Sequence, residues 1–181
     1  MALNLPDGVR QALWAAVAPV RELALPLKWV RPEGIHVTLK FLGEVADNRE
    51  LELRAALGRA AAGSHAVSLV VRGFGAFPAL DRPRVIWAGL EPDAGLESLR
   101  DSVEREFAPL GFPPEERPFR PHLTLGRAAR DARPQPCDGL ERTMTELHYQ
   151  QTTLVGAVDL MQSVLQSAGA VYRIRHSERL S

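Results

Sequence analysis

The chain has 181 residues, of which 45% are apolar and 24% charged, and its 22 basic and 22 acidic side chains leave no formal net charge. That length suits one domain, or two small lobes sharing a core, and the composition is that of a folded soluble protein rather than a disordered one. A zero net charge excludes the global cationic field that drives non-specific duplex binding; no stretch approaches the ~18 apolar residues of a membrane span, and no signal-peptide pattern opens the chain.

In chain order, Met1 to Pro6 reads as the end of a short strand, and Asp7 as the N-cap of a helix. Val9, Leu13, Ala16, Val17 and Val20 recur at helical spacing, with Pro19 expected to kink or end that helix. Lys28 to Val30 and Ile35 to Leu42 read as strands, joined by the turn Arg31-Pro32-Glu33-Gly34. Asp47 or Asn48 caps a second helix running to about Ala62, with Gly63 as its stop. Strands are expected at Ala66 to Val71 and Val85 to Leu90, separated by a loop from Gly73 to Pro83. A third helix, from about Gly95 to Leu110, carries Leu96, Leu99, Val103 and Phe107 on one face and stops at Gly111 and Pro113-Pro114. The linker from Glu115 to Pro121 leads into a strand at His122 to Leu125. Arg127 to Asp138 reads as a mobile loop, and the tail as two strands, Thr153 to Gln166 and Ala170 to His176, turning at Ser167-Ala168-Gly169. The single cysteine, Cys137, has no partner for an internal disulfide, which fits a reducing, cytoplasmic setting.

Two of these strands carry the same pattern, His36-Val37-Thr38-Leu39 and His122-Leu123-Thr124-Leu125. Side chains at i and i+2 of a strand share a face, so each copy presents a His and a Thr together and turns its two apolar residues to a core. The chain's own usage predicts roughly 0.03 such strings by chance, so a repeat is a signal rather than noise. Strands interleaved with helices, and a motif recurring at about half the chain length, point to two similar α+β lobes related by a pseudo-twofold, with the motifs at the lobe interface. An imidazole of pKa about 6.5 serves as base or acid near neutral pH, and hydroxyls can donate to phosphate oxygens as charge builds on them. Two His and two Thr therefore suit acid/base cleavage of a phosphodiester. No His-Glu-x-x-His, Cys-x-x-Cys, EF-hand or phosphate-cradling Gly-rich pattern occurs, so neither a metal nor another cofactor is expected.

The strings from Ile35 to Gly43 and from Phe119 to Arg127 resemble the paired signature of the two-histidine (2H) phosphoesterases. The closer likeness is to the RNA 2',3'-cyclic phosphodiesterase branch, historically called 2'-5' RNA ligases. It extends to Leu5-Pro6, to Trp29, Val30 and Pro32, to Arg82 through Gly89, and to the tail from Leu160 to Tyr172. The resemblance implies an α+β fold, with residues 1–181 forming a single bilobal domain whose antiparallel sheets flank a central cleft. It also implies hydrolysis of RNA 2',3'-cyclic phosphate ends, or of related small nucleotides, to 2'-phosphates without a metal. Position by position, it makes His36 the proton donor to the 3'-oxygen, His122 the proton acceptor, and Thr38 and Thr124 the phosphate contacts. The residues themselves, being nearly symmetric, do not favour one direction over the other.

Arg120 shares the face of His122 and Arg127 lies just beyond Gly126, so both are candidates for the substrate rim, within a cluster that also holds Arg117, Arg130 and Arg133. Arg82 and Arg84 flank Pro83 on another stretch. Phe77 and Trp87 are weighed as nucleobase contacts but fit core packing better, as do Trp14 and Trp29. His65, His148 and His176 read as surface or structural residues, and Lys40 as a solvated strand-end lysine. The chain starts a few residues before Leu5-Pro6, so a short first strand and a frayed sheet edge are expected, in a monomer. Two other functions are compatible with the motifs: a reversible 2'-5' RNA ligase or 2'-5' phosphodiesterase, and a module that binds a nucleotide or RNA end without turnover.

Overall fold

A computed structural model describes residues 1–129, 131–132, 136–166 and 169–181. Its strands are β1 (Ala2–Asn4), β2 (Lys28–Trp29), β3 (His36–Thr38), β4 (Val67–Phe77), β5 (Val85–Leu90), β6 (His122–Arg127), β7 (Gln150–Val155), β8 (Ala157–Gln166) and β9 (Gly169–Arg179). The helices are α1 (Asp7–Ala16), α2 (Ala18–Glu22), α3 (Glu50–Ala61), α4 (Ala94–Phe107) and α5 (Leu140–Glu146). The strands join in one antiparallel sheet of order β7-β4-β5-β6-β3-β1-β8-β9, with β2 added alongside β6. The order is symmetric about the pair β6 and β3, the two motif strands. Each motif strand is therefore the inner strand of one four-stranded half, which is the bilobal α+β arrangement that the repeat implied.

The core runs through this centre. The register aligns Leu3 with Val37, Val37 with Leu123, and Leu123 with Ala88, so four adjacent strands contribute one row of side chains, all of them fully buried. Helix α3 packs on β8 and β9, α4 packs on β4, and the two helices pack on each other. The amphipathic stripe of α4 explains its placement: Leu96, Leu99, Val103 and Phe107 are buried, and Asp93 caps the helix by accepting from the Leu96 amide at 2.8 Å.

Several local expectations are corrected. Pro6 rather than Asp7 precedes the first turn of α1; Asp7 lies inside that turn, where the helix dipole favours its charge, and pairs with Arg10. The helical repeat through Val20 is interrupted, as Pro19 implied: α1 ends at Ala16 and α2 starts at Ala18, with Pro19 in its first turn, where the missing N–H is not needed. The Gly73 turn signal marks a bulge and not a strand end: Gly73 has φ +75°, and β4 continues to Phe77 in register with β5. The expected strand from Thr153 to Gln166 divides at Gly156, its first part pairing with β4 and its second with β1 and β9 at the other side of the sheet. Helix α5 lies in a stretch given no element by the sequence. Strand β1 is an interior strand between β3 and β8 rather than a frayed edge. Ser167 and Ala168 of the expected hairpin turn, and Arg130 and Arg133 of the expected loop, lie outside the described residues.

Candidate active site

With Val37 paired to Leu123 in an antiparallel register, the residues on either side of that pair face each other on the opposite surface of the sheet. His36 therefore stands across from Thr124, and Thr38 across from His122. Each histidine meets the threonine of the other motif. Facing residues of an antiparallel pair lie about 4.5–5.5 Å apart, and diagonal ones about 7–8 Å, so the two imidazoles stand on neighbouring diagonal positions of one face. Neighbouring strands extend the arrangement into two rows across the sheet. One runs Asn4, His36, Thr124, Trp87 and the other Asp159, Ala2, Thr38, His122, Gly89. The floor of the site is thus a strand-borne surface whose apolar reverse lies in the core.

The two imidazoles are held alike. His36 Nδ1 lies 2.8 Å from the Gly34 carbonyl oxygen, and His122 Nδ1 lies 2.8 Å from that of Arg120. A carbonyl can only accept, so in both rings Nδ1 carries the proton and Nε2 remains for chemistry. Each ring also meets an aromatic edge: Tyr172 from β9 beside His36, with centroids 4.7 Å apart at 74°, and Phe77 from β4 beside His122, at 5.4 Å and 83°. Gly34 makes room for the first of these walls, since a Cβ there would lie 3.0 Å from Val30 Cγ1 and 3.3 Å from Tyr172 Cδ2.

The surroundings are not symmetric in charge or burial. Burial pushes the His36 imidazole below the ordinary value of 6.5, partly opposed by its bond to the Gly34 carbonyl. Beside His36, the Asn4 Nδ2 donates to Asp159 Oδ2 at 2.7 Å, and the Ser177 hydroxyl donates to Asp159 Oδ1. Asp159 is thereby a buried carboxylate with a hydrogen-bond donor at each oxygen.

The remaining candidates fall into place by their contacts. Arg120 and Arg127 are exposed; Arg120 lines a recess with Phe77, Trp87, Pro121 and His122, and Arg127 ends β6 opposite Lys28 and Val85. Arg84 is occupied elsewhere, donating to the carbonyls of Ala129 and Ala132. Lys40 is not a solvated lysine: it is buried, paired with Glu104 of α4, and bonded to the Pro113 carbonyl at 2.8 Å. Trp14 and Trp29 pack edge to face against each other and, partly buried, against the core. His65 and His148 are exposed, and His176 bonds Glu178 at 2.7 Å. Tyr172, Asn4 and Asp159 were not singled out as site residues, because only pairing across the sheet brings them to His36. Among the described residues no group of three or more His, Cys, Asp or Glu side chains is placed to hold a metal ion, and no helix is long and apolar enough to cross a membrane.

A family model described as the 2'-5' RNA ligase superfamily matches residues 9–165. The chain belongs to that superfamily. Its similarity to curated members is spread over most of its length: 37% identity over 156 residues to an RNA 2',3'-cyclic phosphodiesterase of Aeropyrum pernix, covering 85% of this chain and 86% of that protein. A protein of the same name from Methanothermobacter thermautotrophicus is 31% identical over 174 residues, covering 95% and 92%. Among solved structures, a Thermus thermophilus protein superposes with a TM-score of 0.77 at 29% identity, covering 99% of this chain and 95% of its own. Escherichia coli LigT complexed with 3'-AMP gives 0.73 at 25% identity over the same shares.

Proposed function

We propose that the chain is an RNA 2',3'-cyclic phosphodiesterase in which residues 1–181 work as one bilobal 2H phosphoesterase domain and His36 and His122 form the acid/base pair. The observation that carries this reading is the shared tautomer. Both Nδ1 atoms are committed to carbonyls, so two Nε2 atoms are left for proton transfer on the face that the paired motif strands share. In the reaction, water attacks phosphorus and gives its proton to Nε2 of His122. The bond from phosphorus to the ribose 3'-oxygen breaks, and Nε2–H of His36 protonates that oxygen, leaving a 2'-phosphomonoester. Burial disfavours the charged form of His36 in the free protein, and an arriving phosphate anion favours it. Protonation of the donor is thus coupled to substrate binding. The Thr38 and Thr124 hydroxyls donate to the non-bridging oxygens, and Arg120 and Arg127 meet neighbouring RNA phosphates at the rim.

The direction of proton transfer follows the family's assignment, no metal takes part, and the enzyme acts as a cytoplasmic monomer. The names of the Aeropyrum and Methanothermobacter relatives support the substrate class, and the LigT complex with 3'-AMP supports nucleotide binding by a protein of this fold. The test is phosphorus NMR on two RNA substrates side by side, one ending in a 2',3'-cyclic phosphate and one carrying a 2'-5' linkage. A 2'-phosphate from the first is expected. Turnover of the second alone would instead establish the 2'-5' phosphodiesterase or ligase reaction, and tight binding with no product from either would establish a binding module.

A further inference from the structure

The two ends of the site differ beyond the motifs themselves. On the outer side of His36 the next strand contributes Asn4, whereas on the outer side of His122 the next strand contributes Gly89, which has no side chain. Facing side chains of such a pair start about 4.5–5.5 Å apart, so Asn4 stands within reach of any group at the His36 imidazole. Its amide is fixed. Nδ2 donates to Asp159 Oδ2 at 2.7 Å and also reaches Met161 Sδ at 3.3 Å, so both amide hydrogens are engaged towards β8. A carboxylate can only accept, so the amide cannot turn round without setting its oxygen against Asp159. The carboxylate is held in its turn: it is buried, and the Ser177 hydroxyl donates to its other oxygen. The atom left over is Asn4 Oδ1, which accepts from no donor among the described residues and keeps some contact with solvent.

Building on the phosphodiesterase reading, we propose that Asn4 Oδ1, oriented by Asp159, accepts a hydrogen bond from the ribose 3'-hydroxyl that the reaction creates at His36. In the cyclic substrate both ribose oxygens are esterified, and neither can donate. When the bond from phosphorus to the 3'-oxygen breaks and the Nε2 proton of His36 passes to that oxygen, a donor appears next to Asn4. The hydrogen bond forms along the reaction and is missing in the ground state, so it lowers the barrier rather than tightening substrate binding. It also gives two nearly symmetric histidines a direction. A leaving oxygen finds a side-chain acceptor beside His36 and none from Gly89 beside His122. Asn4 is thereby a further residue that touches the reacting ribose, and Asp159 is a positioning residue that acts through it.

The test measures affinity, by titration calorimetry, for adenosine 2'-phosphate and 3'-deoxyadenosine 2'-phosphate, which differ only in the 3'-hydroxyl. The wild type is expected to bind the first about two- to tenfold more tightly, the range of one net hydrogen bond. Asn4→Ala and, independently, the isosteric Asp159→Asn, which frees the amide to turn, are expected to shrink that ratio. On adenosine 2',3'-cyclic phosphate both variants should lose kcat with KM little changed. Loss of stability alone would weaken the two ligands equally and leave the ratio intact. Equal affinities in the wild type would overturn the proposal, as would a ratio unchanged in Asn4→Ala, or in Asp159→Asn should Asn4→Ala not fold. A fall in kcat with the ratio unchanged would place Asn4 at the attacking water instead, which also overturns it. In these outcomes the cyclic phosphate is still hydrolysed, and the phosphodiesterase reading stands. If the wild type leaves the cyclic phosphate intact, that reading fails, and the proposal fails with it.

Discussion

Lys40, two residues beyond Thr38 on the first motif, is buried against Glu104 of α4, with side-chain exposures of 5% and 7%. Glu104 also accepts from Arg100 at 3.3 Å, and the Lys40 ammonium also reaches the Pro113 carbonyl. The end of the motif strand is therefore tied to the helix that packs over the other half of the sheet. Removing one partner of a buried pair strands the other charge, so Lys40→Met is expected to cost about 3–5 kcal/mol of unfolding free energy in urea. The double change Lys40→Met with Glu104→Leu should recover much of that loss. A single variant as stable as the wild type would show that the pair is not a structural tie.

The depressed pKa of His36 has a defined stability signature. Because the folded-state value lies below the unfolded one, near 6.5, the unfolded chain takes up the proton first as the pH drops. The contribution is fully present above 6.5 and is lost as the pH falls through the window between 6.5 and the lower folded value. Burial is the larger cause, and the Tyr172 ring supplies part of it. An NMR titration should give His36 a midpoint below 6.5 that moves upward in Tyr172→Ala; a midpoint at or above 6.5 in the wild type would contradict this.

Asp159 accepts from Asn4 and from Ser177, one donor to each oxygen. Asp159→Ala would leave Asn4, the strand neighbour of His36, without the partner that fixes its amide. Loss of a buried hydrogen-bond partner costs about 1–3 kcal/mol. Thermal unfolding should register that destabilisation, and turnover should fall with it. A variant with unchanged melting would mean that the network is replaceable by water.

The cap on α4 offers an independent check on the fold away from the site. Asp93→Ala removes the bond to the Leu96 amide and is expected to lower stability by about 1 kcal/mol, measured in urea, with turnover unaffected. No change in the midpoint would show that solvent satisfies that amide equally well.

The motif strands were legible because a two-residue repeat of His and Thr with apolar residues between them has one structural solution, a strand with a chemical face and a core face. Their mutual pairing was not, since the register of Val37 with Leu123 depends on the whole sheet order. Lys40 was misread for a similar reason: its partner Glu104 lies 64 positions away, and strand position alone favours solvent for a lysine. Gly73 carried a real turn signal, but the bulge it makes lets β4 run on to Phe77, which is how that ring comes to stand beside His122. Tyr172 arrives at His36 from the last strand, through the close approach that Gly34 permits. What local pattern specified was legible, and what required two distant segments to meet was not.

The central claim, that His36 and His122 form a metal-independent acid/base pair acting on RNA ends, is tested most directly on an RNA oligonucleotide ending in a 2',3'-cyclic phosphate, incubated with the purified protein in EDTA. The account predicts conversion to a 2'-phosphate, with turnover lowered by about 10² to 10⁴ in both His36→Ala and His122→Ala while the variants remain folded. No product from an oligonucleotide shown to bind, or wild-type turnover in both variants, would contradict it.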